Sequence, residues 1–314
     1  MDNPIIMTVR GAIKPEELGA TLPHEHVLHT FGEPATTAPD YDPEHVMQIA
    51  LPALEGIKAL GVDALVECTT EYFGRDVEKL RTLSEKSSVH ILTNTGYYGA
   101  AEDRYVPEFA YEETAAQLAA RWVQEWEQGI KGTGIKPGFI KIGVDNPGPL
   151  SEIDAKLVRA AAKTHLQTGL AMAIHTPQDA TLAWAELDIL AEEGVHPSAW
   201  IWVHADTVED FDAVVAAARA GAWIEFDKIN ADNVAQPLAL CWEMKAKGLL
   251  GRLLLSHDES SYAKERTAPE EVHVTVFREL LPKLKAAGFM QAEIEQITMV
   301  NPRAAFTVRV RAAG

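Results

Sequence analysis

The stretch TLPHEHVL, residues 21–28, places two histidines one residue apart after a proline, at the end of an apolar run. Side chains at i and i+2 of a strand share a face, so His24 and His26 point the same way and Glu25 points the opposite way. Two neutral imidazoles on one face form a pincer for a metal ion. A polar strand end carrying surface histidines is the plain alternative, and the rest of the chain decides between the two.

Seven more apolar runs follow: DALVECTT (63–70), HILTNTG (90–96), GFIKIGV (138–144), LAMAIHT (170–176), IWVHAD (201–206), AWIEFDK (222–228) and RLLLSHD (252–258). Longer amphipathic segments separate them, among them DPEHVMQIALPALEGIKALG, SEIDAKLVRAAAKTHLQTG and TVEDFDAVVAAARAG. Several open on Asp, Ser or Thr and close on Gly, the usual helix start and stop signals. Gaps of crossover-helix length favour parallel pairing. Eight strands alternating with eight helices predict an α/β fold, a closed (β/α)8 TIM barrel that takes in residues 1–314 as one domain. The residues before Gly19 are expected to form a short strand or hairpin across the barrel bottom. An open doubly wound sheet is the runner-up, but GTGIKPG (132–138) precedes a strand and lacks the spacing of a dinucleotide loop.

The 314 residues, 47% hydrophobic and 24% charged, suffice for a large core without disulfides. A formal net charge of -18 argues against nucleic acid as a partner, because phosphate binding needs basic patches. Cys68 and Cys241 lie far apart in apolar surroundings and form neither a disulfide framework nor a Cys-x-x-Cys zinc site. The start of the chain lacks a signal-peptide pattern, and no run reaches the roughly 18 apolar residues of a membrane span. A soluble cytoplasmic protein with a small-molecule substrate is expected, and a homodimer is compatible with this reading.

The unusual residues fall at the C-terminal ends of the strands, where the mouth of such a barrel carries out chemistry. Strand one gives His24 and His26, strand four Lys141, strand five His175, strand six His204 and strand eight Asp258 or its neighbour His257. In GFIKIGV, Ile140, Ile142 and Val144 share one face, while Phe139, Lys141 and Gly143 share the other, which turns the lysine into the barrel. An unpaired ammonium there would be costly. It must pair with a carboxylate or be converted, for example to a carbamate by carbon dioxide, an anion able to bridge two cations. In LAMAIHT, Ala171 and Ala173 leave room beneath His175. Glu67, a charge within an apolar strand, needs a partner or a proton if it faces inward.

In this order, TLPHEHVL, GRDV, TGYYG, GFIKIG, AIHT, EEGVHPSAWIWVHAD, FDKI, LLSHD and NPRAAF resemble the phosphotriesterase family of the amidohydrolase superfamily. The resemblance implies a (β/α)8 barrel with two divalent metal ions and hydrolysis of phosphotriesters, lactones or related esters and amides. It implies that His24, His26 and Asp258 bind the more buried metal, that His175 and His204 bind the more exposed one, and that Lys141 is the carboxylated lysine bridging both. A water between the metals is then acidified, and Asp258 accepts its proton. Asp206 matches an aspartate that passes the proton outward, with a helix N-cap as its alternative role. Zinc, manganese, cobalt or iron suits these donors.

Tyr98 in TGYYG matches a tyrosine beside the substrate oxygen in lactonase-type members, with loop packing as the alternative. Lys228 in FDKI stands where relatives carry a basic residue or histidine, and either holds an anionic group of the substrate or is simply solvated. Lys264 and Arg266 are solvated or add to an anion site. The resulting expectation is a metal-dependent hydrolase of a small lactone or carboxylic ester. A phosphotriesterase, an amidase on N-acyl compounds and a non-catalytic binding barrel are the alternatives.

Overall fold

A computed structural model describes residues 4–145 and 147–313. The chain opens with an antiparallel hairpin, β1 (Ile6–Thr8) and β2 (Gly11–Ile13). The barrel follows in chain order: β3 (Thr21–Glu25), α1 (Pro43–Ala59), β4 (Ala64–Glu67), α2 (Val77–Ser87), β5 (His90–Leu92) and β6 (Asn94–Thr95). Then come α3 (Phe109–Glu112), α4 (Ala115–Gln128), β7 (Phe139–Gly143), α5 (Glu152–Thr168), β8 (Met172–His175) and α6 (Ala180–Glu192). The circuit ends with β9 (Trp200–Val203), α7 (Phe211–Ala220), β10 (Trp223–Phe226), α8 (Ala235–Ala246) and β11 (Leu253–Leu255), before the C-terminal helices α9 (Leu281–Ala286), α10 (Gln291–Glu295) and α11 (Asn301–Phe306).

All neighbouring strands from β3 to β11 pair in parallel. The third barrel strand is broken at Thr93 into β5, which pairs with β4, and β6, which pairs with β7. Asn94 stitches this break by donating to the Glu67 and Thr69 carbonyls, both at 2.9 Å. Beyond β11 the circuit closes on strand one: the Asp258 N–H donates to His24 O at 3.2 Å and the His26 N–H to Glu259 O at 2.8 Å. The expected (β/α)8 barrel is present.

Alternation sorts the side chains as expected. Val66, Phe139, Ala171, Ala173, Ile201 and Leu254 fill the barrel, while Ile140, Ile142 and Val144 pack outward against the helices. Ile6, Leu18 and Phe306 join the interior cluster, with the Phe139 and Phe306 rings edge to face at 5.7 Å. The hairpin thus closes the end of the barrel opposite the site. Strand one departs from simple alternation. Its register shifts between Leu22, opposite Leu65, and Glu25, opposite Glu67, so one extra residue is accommodated around Pro23. Proline has no N–H for the ladder and tolerates such a bulge, which re-aims the strand so that His24 and His26 turn inward.

Helix starts follow the predicted signals, with Asp42, Asp76, Thr114, Ser151 and Asp179 as N-caps. In the segment after strand six the cap is Asp210, which accepts from the Ala213 N–H at 3.2 Å; Asp206 does not cap α7. Among the described residues no helix is long and apolar enough to cross a membrane.

Candidate metal centre

Three ligand-type atoms converge at the seam where strand one meets strand eight. Asp258 Oδ1 lies 3.3 Å from His24 Nε2 and 3.2 Å from His26 Nε2. Donors about 2.1 Å from one tetrahedral ion would be roughly 3.4 Å apart, so this trio has the spacing of one ion. Beside it, His204 Nε2 lies 2.6 Å from His175 Nδ1 and 4.0 Å from Asp258 Oδ2. His204 and Asp258 both adopt left-handed backbone, with φ of 66° and 58°. That conformation costs a non-glycine residue roughly 1–2 kcal/mol. Such strain collects at functional sites and here aims both side chains at one point.

Lys141 is buried in the barrel, and its Nζ has no hydrogen-bond partner among the described residues. The six side chains proposed from the sequence therefore meet in one place. His24, His26, Lys141, His175 and Asp258 also line a cavity of about 270 Å³, walled by His29, Phe31, Phe73, Tyr98, Glu259 and Ser260.

The outer nitrogens of the imidazoles are committed to acceptors. His24 Nδ1 lies 2.8 Å from Asp227 Oδ2 and 2.9 Å from Glu225 Oε1. His204 Nδ1 lies 2.6 Å from Asp227 Oδ1, and His26 Nδ1 lies 2.8 Å from Thr69 Oγ1. With Nδ1 engaged in this way, Nε2 of His24 and of His26 faces Asp258, and Nε2 of His204 faces His175. Burial alone would lift Asp227, but the His204 and His24 imidazoles outweigh it and hold the carboxyl well below its usual range. Burial raises its neighbour Glu225 to about 8. Asp258 likewise resists burial through His24, His26 and His204 and stays well below the usual carboxylate range.

Asp227, Glu225 and Thr69 were missed in the sequence. The available signal for the first two was AWIEFDK itself: Glu225 and Asp227 stand on the same inward face of an apolar strand, immediately before Lys228.

The remaining candidates divide. Tyr98 lines the cavity, its hydroxyl 3.3 Å from His175 Nδ1 and its ring stacked on Phe73 at 5.4 Å. The Lys228 ammonium lies against Asp258 Oδ2, and its backbone N–H donates to Asp206 Oδ2 at 2.9 Å. Lys228 thus stands between the two aspartates. Burial, reinforced by Asp227, raises Asp206 to about 7. Lys264 pairs with exposed Glu33, and Arg266 donates to the Ser260 and Ser261 carbonyls; neither lines the cavity.

A second buried cluster, Glu25, His257 and His273, lies on the other side of strand one. His257 Nδ1 donates to Glu25 at 2.6 Å while its Nε2 accepts the Val276 N–H at 2.9 Å. His273 Nδ1 lies 2.8 Å from Glu25 and its Nε2 lies 2.7 Å from Ser261 Oγ. Every ring nitrogen is used, so this cluster is a hydrogen-bonded brace. His257 is its outward-facing member, and Asp258 is the strand-eight residue at the mouth.

A barrel whose mouth gathers imidazoles, an aspartate and a lysine defines a class of hydrolase, and the comparisons identify which. The model of the phosphotriesterase family matches residues 4–306, and the chain belongs to that family of hydrolases. It is 25% identical to the aryldialkylphosphatase of Saccharolobus solfataricus over 95% of this chain and 98% of that one. It is equally 25% identical to the N-acetyltaurine hydrolase of Dictyostelium discoideum, over 96% and 98% of the two chains. The solved phosphotriesterase from Mycobacterium tuberculosis superposes with a TM-score of 0.86 at 27% identity, over 99% of this chain and all 100% of that one.

Proposed function

We propose that this chain is a binuclear-metal hydrolase that cleaves a small lactone or carboxylic ester. The observation that carries this reading is the convergence of imidazole nitrogens and Asp258 beside the buried amine of Lys141, which has no hydrogen-bond partner among the described residues, on a cavity open to a small molecule. Two divalent ions bound there would provide hydroxide near neutral pH and polarise the oxygen of the scissile group. His24, His26 and Asp258 would hold one ion, and His175 and His204 the other. Lys141, converted by carbon dioxide to a carbamate, would serve as an anionic ligand of the centre and lose the cost of a buried ammonium. Zinc suits this set, as do manganese, cobalt and iron.

The protein groups then divide the work. Asp258 takes the proton of the attacking water. Asp206 passes it outward, with a carboxyl lifted by burial to about 7, close to the pH at which it must both gain and lose a proton. The Tyr98 hydroxyl stands beside the substrate oxygen, while Phe31 and Phe73 offer an apolar wall to the acyl or leaving group. Lys228 attracts an anionic substituent at the rim.

Amide hydrolysis of an N-acyl compound is the second reading, favoured by the similarity to an N-acetyltaurine hydrolase. A phosphotriester is the third, favoured by the similarity to an aryldialkylphosphatase. A hydrolysis screen of metal-replete protein against lactones, esters, N-acyl amino acids and phosphotriesters tests them together. The expected result is the highest kcat/KM on a lactone or ester. Bound metal with no turnover of any class would leave a non-catalytic binding barrel instead.

A further inference from the structure

His29 is half-buried and lines the cavity without being one of the six proposed ligands. Its Nδ1 accepts the Phe31 N–H at 3.0 Å. A backbone N–H only donates, so Nδ1 carries no proton and the neutral ring has its hydrogen on Nε2. That nitrogen stands across the ring from the loop backbone and has no hydrogen-bond partner among the described residues. His29 therefore brings to the wall a donor that the fold itself does not use.

The other polar wall groups are spent or accept only. Ser260 Oγ gives its hydrogen to the Tyr262 carbonyl at 2.9 Å, and the Glu259 carboxylate accepts the His273 N–H at 2.6 Å. Leaving aside Tyr98 and the proposed ligands, His29 is the lining side chain with a hydrogen to give. Its surroundings are apolar. The Phe73 ring lies tilted against it at 5.8 Å, and Phe31 meets Phe73 edge to face at 5.8 Å while 63% of its own surface stays exposed. A substrate side group lying here meets one donor set among aromatic faces.

We propose that His29 is a specificity-determining residue whose Nε2–H donates to an oxygen on a side group of the substrate, away from the bond that is cleaved. The substrate class is then a lactone or ester whose apolar side group carries a second acceptor oxygen. The proposal rests on the hydrolase reading above and adds the side group to it.

The test uses metal-replete full-length protein and γ-butyrolactones whose alkyl side chain carries a carbonyl at successive positions, each paired with its all-methylene analogue. One oxo compound should exceed its analogue in kcat/KM by about 2- to 12-fold, the range of a neutral hydrogen bond. His29→Phe keeps an aromatic ring beside Phe73 and removes the donor, so this ratio should fall to about 1. His29→Gln places an amide N–H near the position of Nε2 and should keep most of the preference. The ratio is taken within each variant, so a change in overall activity cancels. No preference at any position in the wild type overturns the proposal, as does a preference that survives His29→Phe. Loss in both variants also overturns it, because ring shape rather than the donor would then select. If no lactone or ester is turned over, the hydrolase reading fails by itself. The same pairs are then compared by calorimetric Kd, where a wild-type oxo preference lost in His29→Phe and kept in His29→Gln still supports the donor role, and any other pattern overturns it.

Discussion

Asp227 Oδ1 receives the Nδ1–H of His204 at 2.6 Å, with both side chains buried. The other oxygen of the same carboxylate faces His24 at 2.8 Å, so one aspartate orients an imidazole from each half of the centre. His24 has a second acceptor in Glu225, whereas among the described residues His204 Nδ1 has no other acceptor. Asp227→Ala should therefore weaken the His175–His204 ion first, by about 10- to 100-fold. Metal counts after dialysis should fall towards one per chain. Equal loss of both ions would mean that Glu225 does not sustain His24.

The barrel and the gathering of histidines and Lys141 at the strand ends were legible from local rules, whereas the choice of Asp258 over His257 came from the family resemblance. Strand alternation told which residues of GFIKIGV and LAMAIHT face inward, and strand ends converge by the geometry of the fold. What escaped depended on distant partners. The bulge around Pro23 shifts the register of strand one, which only the pairing with β4 reveals. Thr69 and Asp227 matter through which imidazole each meets, and a spacing of more than twenty residues carries no such information. The cavity wall of His29, Phe31 and Phe73 is assembled from two loops with no regular periodicity. A helix cap was the alternative role for Asp206, yet the residue that caps the helix is Asp210, four residues later.

Asp258→Asn should lower kcat by about 100-fold or more and change KM little, because it removes the proton acceptor from the transition state. Metal content must be measured on the same sample, since a weakened ligand would give a similar loss. Full turnover at full metal occupancy would remove Asp258 from this role.

Lys228→Met separates the two tasks open to this ammonium. Reading the substrate charge predicts a KM raised about 10- to 150-fold for an anionic substrate and nearly unchanged for a matched neutral one, the range of a charge-assisted hydrogen bond. Equal losses on both substrates would show that Lys228 acts through Asp258, which it contacts.

Glu25 braces strand one against strand eight, accepting from Ser256 Oγ at 2.7 Å, from the His257 and Glu259 N–H groups at 3.1 and 3.0 Å, and from both imidazoles of the buried cluster. In Glu25→Gln one oxygen becomes an NH2 facing other donors. The expected loss is about 2–4 kcal/mol, from buried groups left unsatisfied. A denaturant midpoint within error of the wild type would show that the barrel closes without this brace.

The central claim is that Lys141 becomes the bridge between two ions. Elemental analysis and intact mass of the chain supplied with zinc and bicarbonate test it most directly, alongside Lys141→Ala. The account predicts two zinc ions per wild-type chain, a mass increase of one carbon dioxide on Lys141, and loss of both in the variant, with metal partly restored by a short carboxylate. A wild-type chain without stoichiometric metal, or a Lys141→Ala chain that binds two ions unaided, would contradict it.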